Sequence, residues 1–225
     1  MSLSVMSPST TSTSLRAPAW LLVGTLAAFV AYVAFAIATI SKVADTSATL
    51  TPGQIDDLGA SWMAVHLTWM VPPVLAAVAL TLLSRRLGTT TRFVPVLAAV
   101  ALALAMAYLV VNGLAYGSDA ATWGQNELYP WSYLLSISVG WLGVLPATLL
   151  VTVALARAGI ARRSAWTLTV LVGLYWAFDL LTYLPVILGP ATLAAFEGGL
   201  PPFLLGIFWA VLGGSLLKSR VTSEA

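Results

Sequence analysis

Cysteine is absent from the 225-residue chain, and histidine occurs once, as His66. The first absence excludes disulfides, thiolate nucleophiles, cysteine-ligated iron–sulfur clusters and thiol redox chemistry. One histidine without cysteine leaves neither a zinc site nor a bis-histidine haem, so no metal and no cofactor is expected. Charge is also scarce, at 8% of residues, where a soluble domain carries about 25%. With 60% hydrophobic residues and a mean hydropathy of +0.95, a soluble globular fold is excluded in favour of a membrane protein. No GxSxG, HExxH, phosphate-loop or dinucleotide motif occurs. The two lysines, Lys42 and Lys218, fall at membrane borders, which removes a buried Schiff-base lysine.

What the chain has is apolar length. Six mostly apolar stretches, 18–41, 60–84, 93–116, 131–156, 165–189 and 200–217, are long enough or nearly so to cross a bilayer. They are apolar on nearly every side, which is unlike the alternation of a transmembrane β-barrel. The expected fold is therefore all-α and polytopic: a tail over 1–17, six transmembrane helices over 18–217 and a second tail over 218–225. The first run is longer than the 7 to 15 residues of a signal-peptide core, so Ala36-Ile37-Ala38 is read as helix and not as a cleavage site.

Cation placement orients the bundle. Arg16, Arg85, Arg86, Arg92, Arg157, Arg162, Arg163, Lys218 and Arg220 fall at alternate ends of the six spans, leaving only Lys42 in the opposite loops. By the positive-inside rule both termini are expected to be cytoplasmic, in a multi-pass plasma-membrane protein. These cations suit anionic lipid headgroups. No basic patch interleaved with exposed aromatics suggests nucleic acid.

Asp179 is the main functional lead. It lies about 3 Å outward of the middle of the fifth span, at a depth where a carboxylate is costly unless neutral, paired or facing a polar cavity. Tyr175 and Thr182 share its face, with Trp176 and Tyr183 nearby. On the second span, Trp62, His66, Trp69 and Pro73 share a face. Tyr108 and Asn112 do so on the third, and Tyr133, Ser136, Gly140 and Trp141 on the fourth. The expected site is an outward pocket built from His66, Trp69, Tyr108, Asn112, Trp141, Tyr175, Trp176, Asp179 and Tyr183. Each has a plainer explanation. His66 and Asn112 serve equally as hydrogen-bonding glue between helices, and Trp62 and Tyr116 as interfacial belt residues. Pro72, Pro73, Pro146 and Pro185 free the carbonyls of Thr68, Trp69, Leu142 and Leu181, which need other partners in lipid.

Small-residue strips at Gly206, Ala210 and Gly214, and at Ala99, Ala103 and Ala107, allow close helix packing, within the chain or in a homo-oligomer. An offset of 72 residues lays Trp69 on Trp141 and Arg85 on Arg157, a weak echo of the second and third spans in the fourth and fifth.

Three functions fit these residues. The first is a carrier or binding protein for a small apolar or amphiphilic molecule. The second is a lipid or isoprenoid isomerase or cyclase, in which protonated Asp179 is the catalytic acid and Trp69, Trp141, Tyr175 and Trp176 stabilise positive charge. The third is an accessory or chaperone subunit of a membrane complex. Membrane lipids are partners in all three. The Trp69-Met70-Val71-Pro72-Pro73 run on an inward-running second span, and six spans with cytoplasmic ends, resemble the insulin-induced-gene family of sterol-responsive membrane proteins. The Trp176-Ala177-Phe178-Asp179 run also resembles a motif of that family, which places it on the fourth span and not the fifth. No membership is assigned on these residues.

Overall fold

A computed structural model describes residues 15–42, 54, 57–118, 129–188 and 203–219, with side chains for all of these except 114–118, 129–130, 133, 182–188 and 203. Its elements are α1 (Arg16–Ile40), α2 (Ala60–Leu87), a short 3₁₀ turn (Gly88–Thr91), α3 (Val94–Ser118), α4 (Tyr129–Ser138), a π-helical turn (Val139–Val144), α5 (Leu145–Arg157), α6 (Arg162–Leu188) and α7 (Phe203–Lys218). Among the described residues there is no strand. Five helical stretches are long and apolar enough to span a membrane, and a shorter apolar helix covers Leu204–Lys218. The fourth span is α4, the π turn and α5 joined end to end.

Helix is the form this sequence takes because apolar residues with no water to bond their amides must satisfy them internally. Hydroxyl groups in the spans follow the same rule. Thr25 donates to the Leu22 carbonyl at 2.6 Å and Thr81 to that of Ala77 at 2.8 Å. Glycine ends α2, where Gly88 has φ +75°, a conformation that costs a residue with a Cβ. Thr91 then fastens the turn by donating to the carbonyls of Ser84 and Gly88, each at 3.0 Å.

The helices form a ring in chain order. α1 packs on α2, α2 on α3, α3 on α4 and the π turn, α5 on α6, α6 on α7, and α7 closes on α1. The fourth span leans inward and also touches α2 across the ring, which makes it the most buried of the spans. Antiparallel pairing brings Ala19, near the start of α1, against Gly213, near the end of α7. The same alternation gathers Arg16, Arg85, Arg86, Arg92, Arg157, Arg162, Arg163 and Lys218 at one end of the bundle and Lys42 at the other. Outward faces stay apolar: Val30, Met106, Leu142, Leu174, Phe178 and Leu181 are all exposed. Such a belt suits lipid.

Two small-residue strips turn differently from expectation. On α3 the buried alanines are Ala98, Ala101 and Ala105, whereas Ala99 and Ala103 are exposed and Ala107 is half-buried. Ala101 meets Gly143 of the π turn, where an added Cβ would stand 2.8 Å from the Ala101 Cα. On α7 the close approaches are Gly206 against Phe29 and Gly213 against Ala19, while Gly214 faces open space. Both α7 contacts lie within the chain.

Candidate functional site

Asp179 and Trp141 are brought together. The Trp141 indole N–H donates to Asp179 Oδ2 at 2.6 Å, joining α6 to the π turn. Asp179 as a whole is only 7% exposed. Trp141 is its one hydrogen-bonding partner among the described residues, and no basic side chain pairs with it.

The π turn explains how Trp141 arrives there. Pro146 follows it, and a proline inside a helix has no amide for the carbonyl four residues back and clashes with it. The chain relieves this by widening: the Leu145 amide reaches back five residues to the Gly140 carbonyl. One extra residue is thereby taken into the turn, a feature frequent at functional sites. The far end is held from α7. Trp209 donates its indole N–H to the Thr148 hydroxyl at 3.1 Å, and Thr148 donates to the Val144 carbonyl at 2.7 Å.

One helical turn from Asp179 on α6 lies Trp176, whose buried Nε1 has no hydrogen-bonding partner among the described residues. Tyr175 is buried on the same side and meets Phe208 of α7 edge to face, with ring centroids 6.5 Å apart. Asp179, Trp141, Trp176 and Tyr175 therefore form one neighbourhood on the inner side of α6. Thr182 and Tyr183 continue that helix, but their side chains lie outside the described residues, as do those of Tyr133 and Tyr116.

The remaining residues gather in two other seams. Between α2 and α3, His66 Nδ1 and the Tyr108 hydroxyl are 2.5 Å apart, and Trp62 meets the His66 ring edge to face at 4.8 Å. One turn along each helix, Asn112 is wholly buried and its amide Nδ2 reaches only the Met63 sulfur, at 3.9 Å. The Asn112 Oδ1 and Trp62 Nε1 atoms are both buried without a partner among the described residues. This corrects the belt reading of Trp62, since a belt indole keeps its N–H at the wet headgroups. Between α1 and α2, Trp69 packs on Phe29 and Tyr32, with centroids at 6.0 and 5.0 Å. A single cluster of His66, Trp69 and Asp179 is not what these contacts form. Trp69 and Trp141, aligned by the 72-residue offset, also play different parts, one stacking on α1 and the other bonding Asp179.

Sequence reasoning missed the π turn, Met63, Phe208 and the Thr148–Trp209 link. The nearest signal was Gly140, Gly143 and Pro146 packed into seven residues of one span. Among the described residues no cluster of metal-ligating side chains occurs. No protein-family model, curated protein or solved structure matches the chain.

Proposed function

We propose that the chain is a six-span plasma-membrane protein with both termini cytoplasmic, which binds and carries a small apolar or amphiphilic molecule beside Asp179. The observation that supports this reading is spare bonding capacity on adjacent turns of α6. Asp179 has one oxygen, Oδ1, without a hydrogen bond among the described residues, and Trp176 has a buried donor without an acceptor one turn away. A buried donor left unpaired costs about 1–3 kcal/mol. A ligand hydroxyl, ester or carbonyl entering between the helices offsets that cost, while the surrounding apolar side chains take its hydrocarbon part. Titration of Asp179 would then couple binding to protons, as intramembrane carboxylates do in transporters.

The Trp141 bond favours a second reading, an accessory or chaperone subunit in which Asp179 fastens two spans and nothing more. The acid-catalyst reading is weakened at one point, because Trp141 turns its N–H edge and not its ring face to the carboxyl group.

The experiment compares wild type with Asp179→Asn and Trp176→Phe. Asn keeps the volume and still accepts from Trp141 but cannot ionise, and Phe keeps an aromatic ring without the donor. Amphiphiles that co-purify with the monodisperse protein are quantified by mass spectrometry, beside transport and any turnover of them in vesicles across pH. The expected result is a loss of about tenfold or more in bound amphiphile or flux, equivalent to about 1.4 kcal/mol, with folded yield nearly unchanged. Equal activity per folded molecule and an unchanged pH profile would sink the carrier and acid-catalyst readings together.

A further inference from the structure

At the basic end of the bundle, a shallow pocket of about 350 Å³ opens between the start of α6 and the end of α7, lined by Ala161, Arg162, Arg163, Ser164, Ser215, Lys218 and Ser219. We propose that it binds a phosphate-bearing anion, with the headgroup of an anionic phospholipid as its natural source. This site is separate from Asp179 and does not depend on the function assigned there.

Among the described residues, three cations and no carboxylate line the pocket. The positive-inside rule accounts for their sign, since every border on this side is basic. It does not account for their convergence on one concavity. Arg162 and Arg163 also open α6, where the helix macrodipole disfavours cations and favours anions. The first hydrogen bond of α6 runs from the Ala165 amide to the Ala161 carbonyl. The amides of Arg162, Arg163 and Ser164 therefore have no acceptor within the helix. Just before them, Ala161 holds a φ of +46°, the left-handed conformation that a residue with a Cβ rarely adopts. The pocket adds hydroxyls from two helices, and those of Ser164 and Ser215 make no hydrogen bond among the described residues.

Each element is common alone, and together they make a donor set. Two guanidinium forks, an ammonium, serine hydroxyls and a helix start present donors with no acceptor side chain charged among them. A phosphate supplies both the charge and the acceptor oxygens. The volume exceeds that of a bare phosphate and leaves room for its glycerol ester, while lying at the small end for ligand pockets. Its place at the membrane border matches the depth of a phospholipid headgroup, and basic pockets between transmembrane helices take such groups.

Native mass spectrometry in neutral detergent tests the site with dihexanoyl phosphatidic acid, dihexanoyl phosphatidylcholine and inorganic phosphate as probes. The phosphatidic acid should bind at least tenfold tighter than the phosphatidylcholine. The triple variant Arg162→Gln/Arg163→Gln/Lys218→Gln should weaken it by tenfold or more. Arg85→Gln/Arg86→Gln, which removes charge from the same end outside the pocket, should change it less than twofold. Should the triple variant fail to fold, Ser215→Phe fills the pocket without altering charge and should lower binding to the same extent. Inorganic phosphate binding as tightly as the phosphatidic acid would keep the anion site but overturn the lipid as its source. Equal losses in the pocket and Arg85/Arg86 variants, or undiminished binding in Ser215→Phe, would overturn the site.

Discussion

Trp209 and Thr148 connect α7 to α5 through a hydrogen bond of 3.1 Å, and the same Thr148 hydroxyl donates to the last carbonyl of the π turn. Removing one partner strands the other in a buried seam, at a cost of about 1–3 kcal/mol, whereas removing both is nearly neutral. Thr148→Val alone should therefore lower the melting temperature in detergent more than the Thr148→Val/Trp209→Phe pair does relative to Trp209→Phe. Additive losses would show that the relay carries no coupling.

Gly143 allows the fourth span to touch the backbone of α3 at Ala101. Gly143→Ala should destabilise the bundle by about 1–3 kcal/mol, the usual cost of overpacking, read as earlier thermal aggregation on size-exclusion chromatography. Gly214→Ala meets nothing within 4 Å and should be neutral or slightly stabilising.

The His66–Tyr108 seam is expected to be glue. Tyr108→Phe should lower stability by about 0.6–2 kcal/mol yet leave activity per folded molecule intact, in contrast with Asp179→Asn. A Tyr108→Phe protein with normal melting and lost binding would move the functional site to α2 and α3.

Sidedness can be read with two exposed positions at opposite ends, Ser41 and Thr90. A cysteine at 41 should react with a membrane-impermeant thiol reagent in intact cells, and one at 90 only after permeabilisation. The reverse pattern would invert the orientation and place Asp179 in the inner half of the bilayer.

The long apolar helices were legible in the sequence because a bilayer demands length and apolarity, both of which a linear reading can count. Shared helix faces were partly legible: Tyr175 with Asp179, and Tyr108 with Asn112, are buried together as their spacing implies. Which face meets which neighbour was not. These helices are apolar all round, so alanine spacing placed the α3 strip at Ala99, Ala103 and Ala107, of which the first two are exposed and the third half-buried, while Ala98, Ala101 and Ala105 are the buried alanines. For the same reason Leu180, next to Asp179, could pass for a lipid-facing residue, yet it packs inward while Leu181 is 71% exposed. The facing partners of His66 and Asp179 depend on ring order, which no local spacing encodes.

The widened turn at Val139–Val144 has a consequence for helical phase. One residue more than an α-helix would use means that everything in α4 is rotated by about 100° against α5 compared with an unbroken helix. Trp131, Ser132 and Leu142 owe their bearings to that offset, so the two halves of one span face the ring as if they belonged to different helices. A chain shortened by a single residue within the turn could regain α-helical bonding while turning α4 to a new set of neighbours. In this stretch, length is itself a determinant of which side chains look inward.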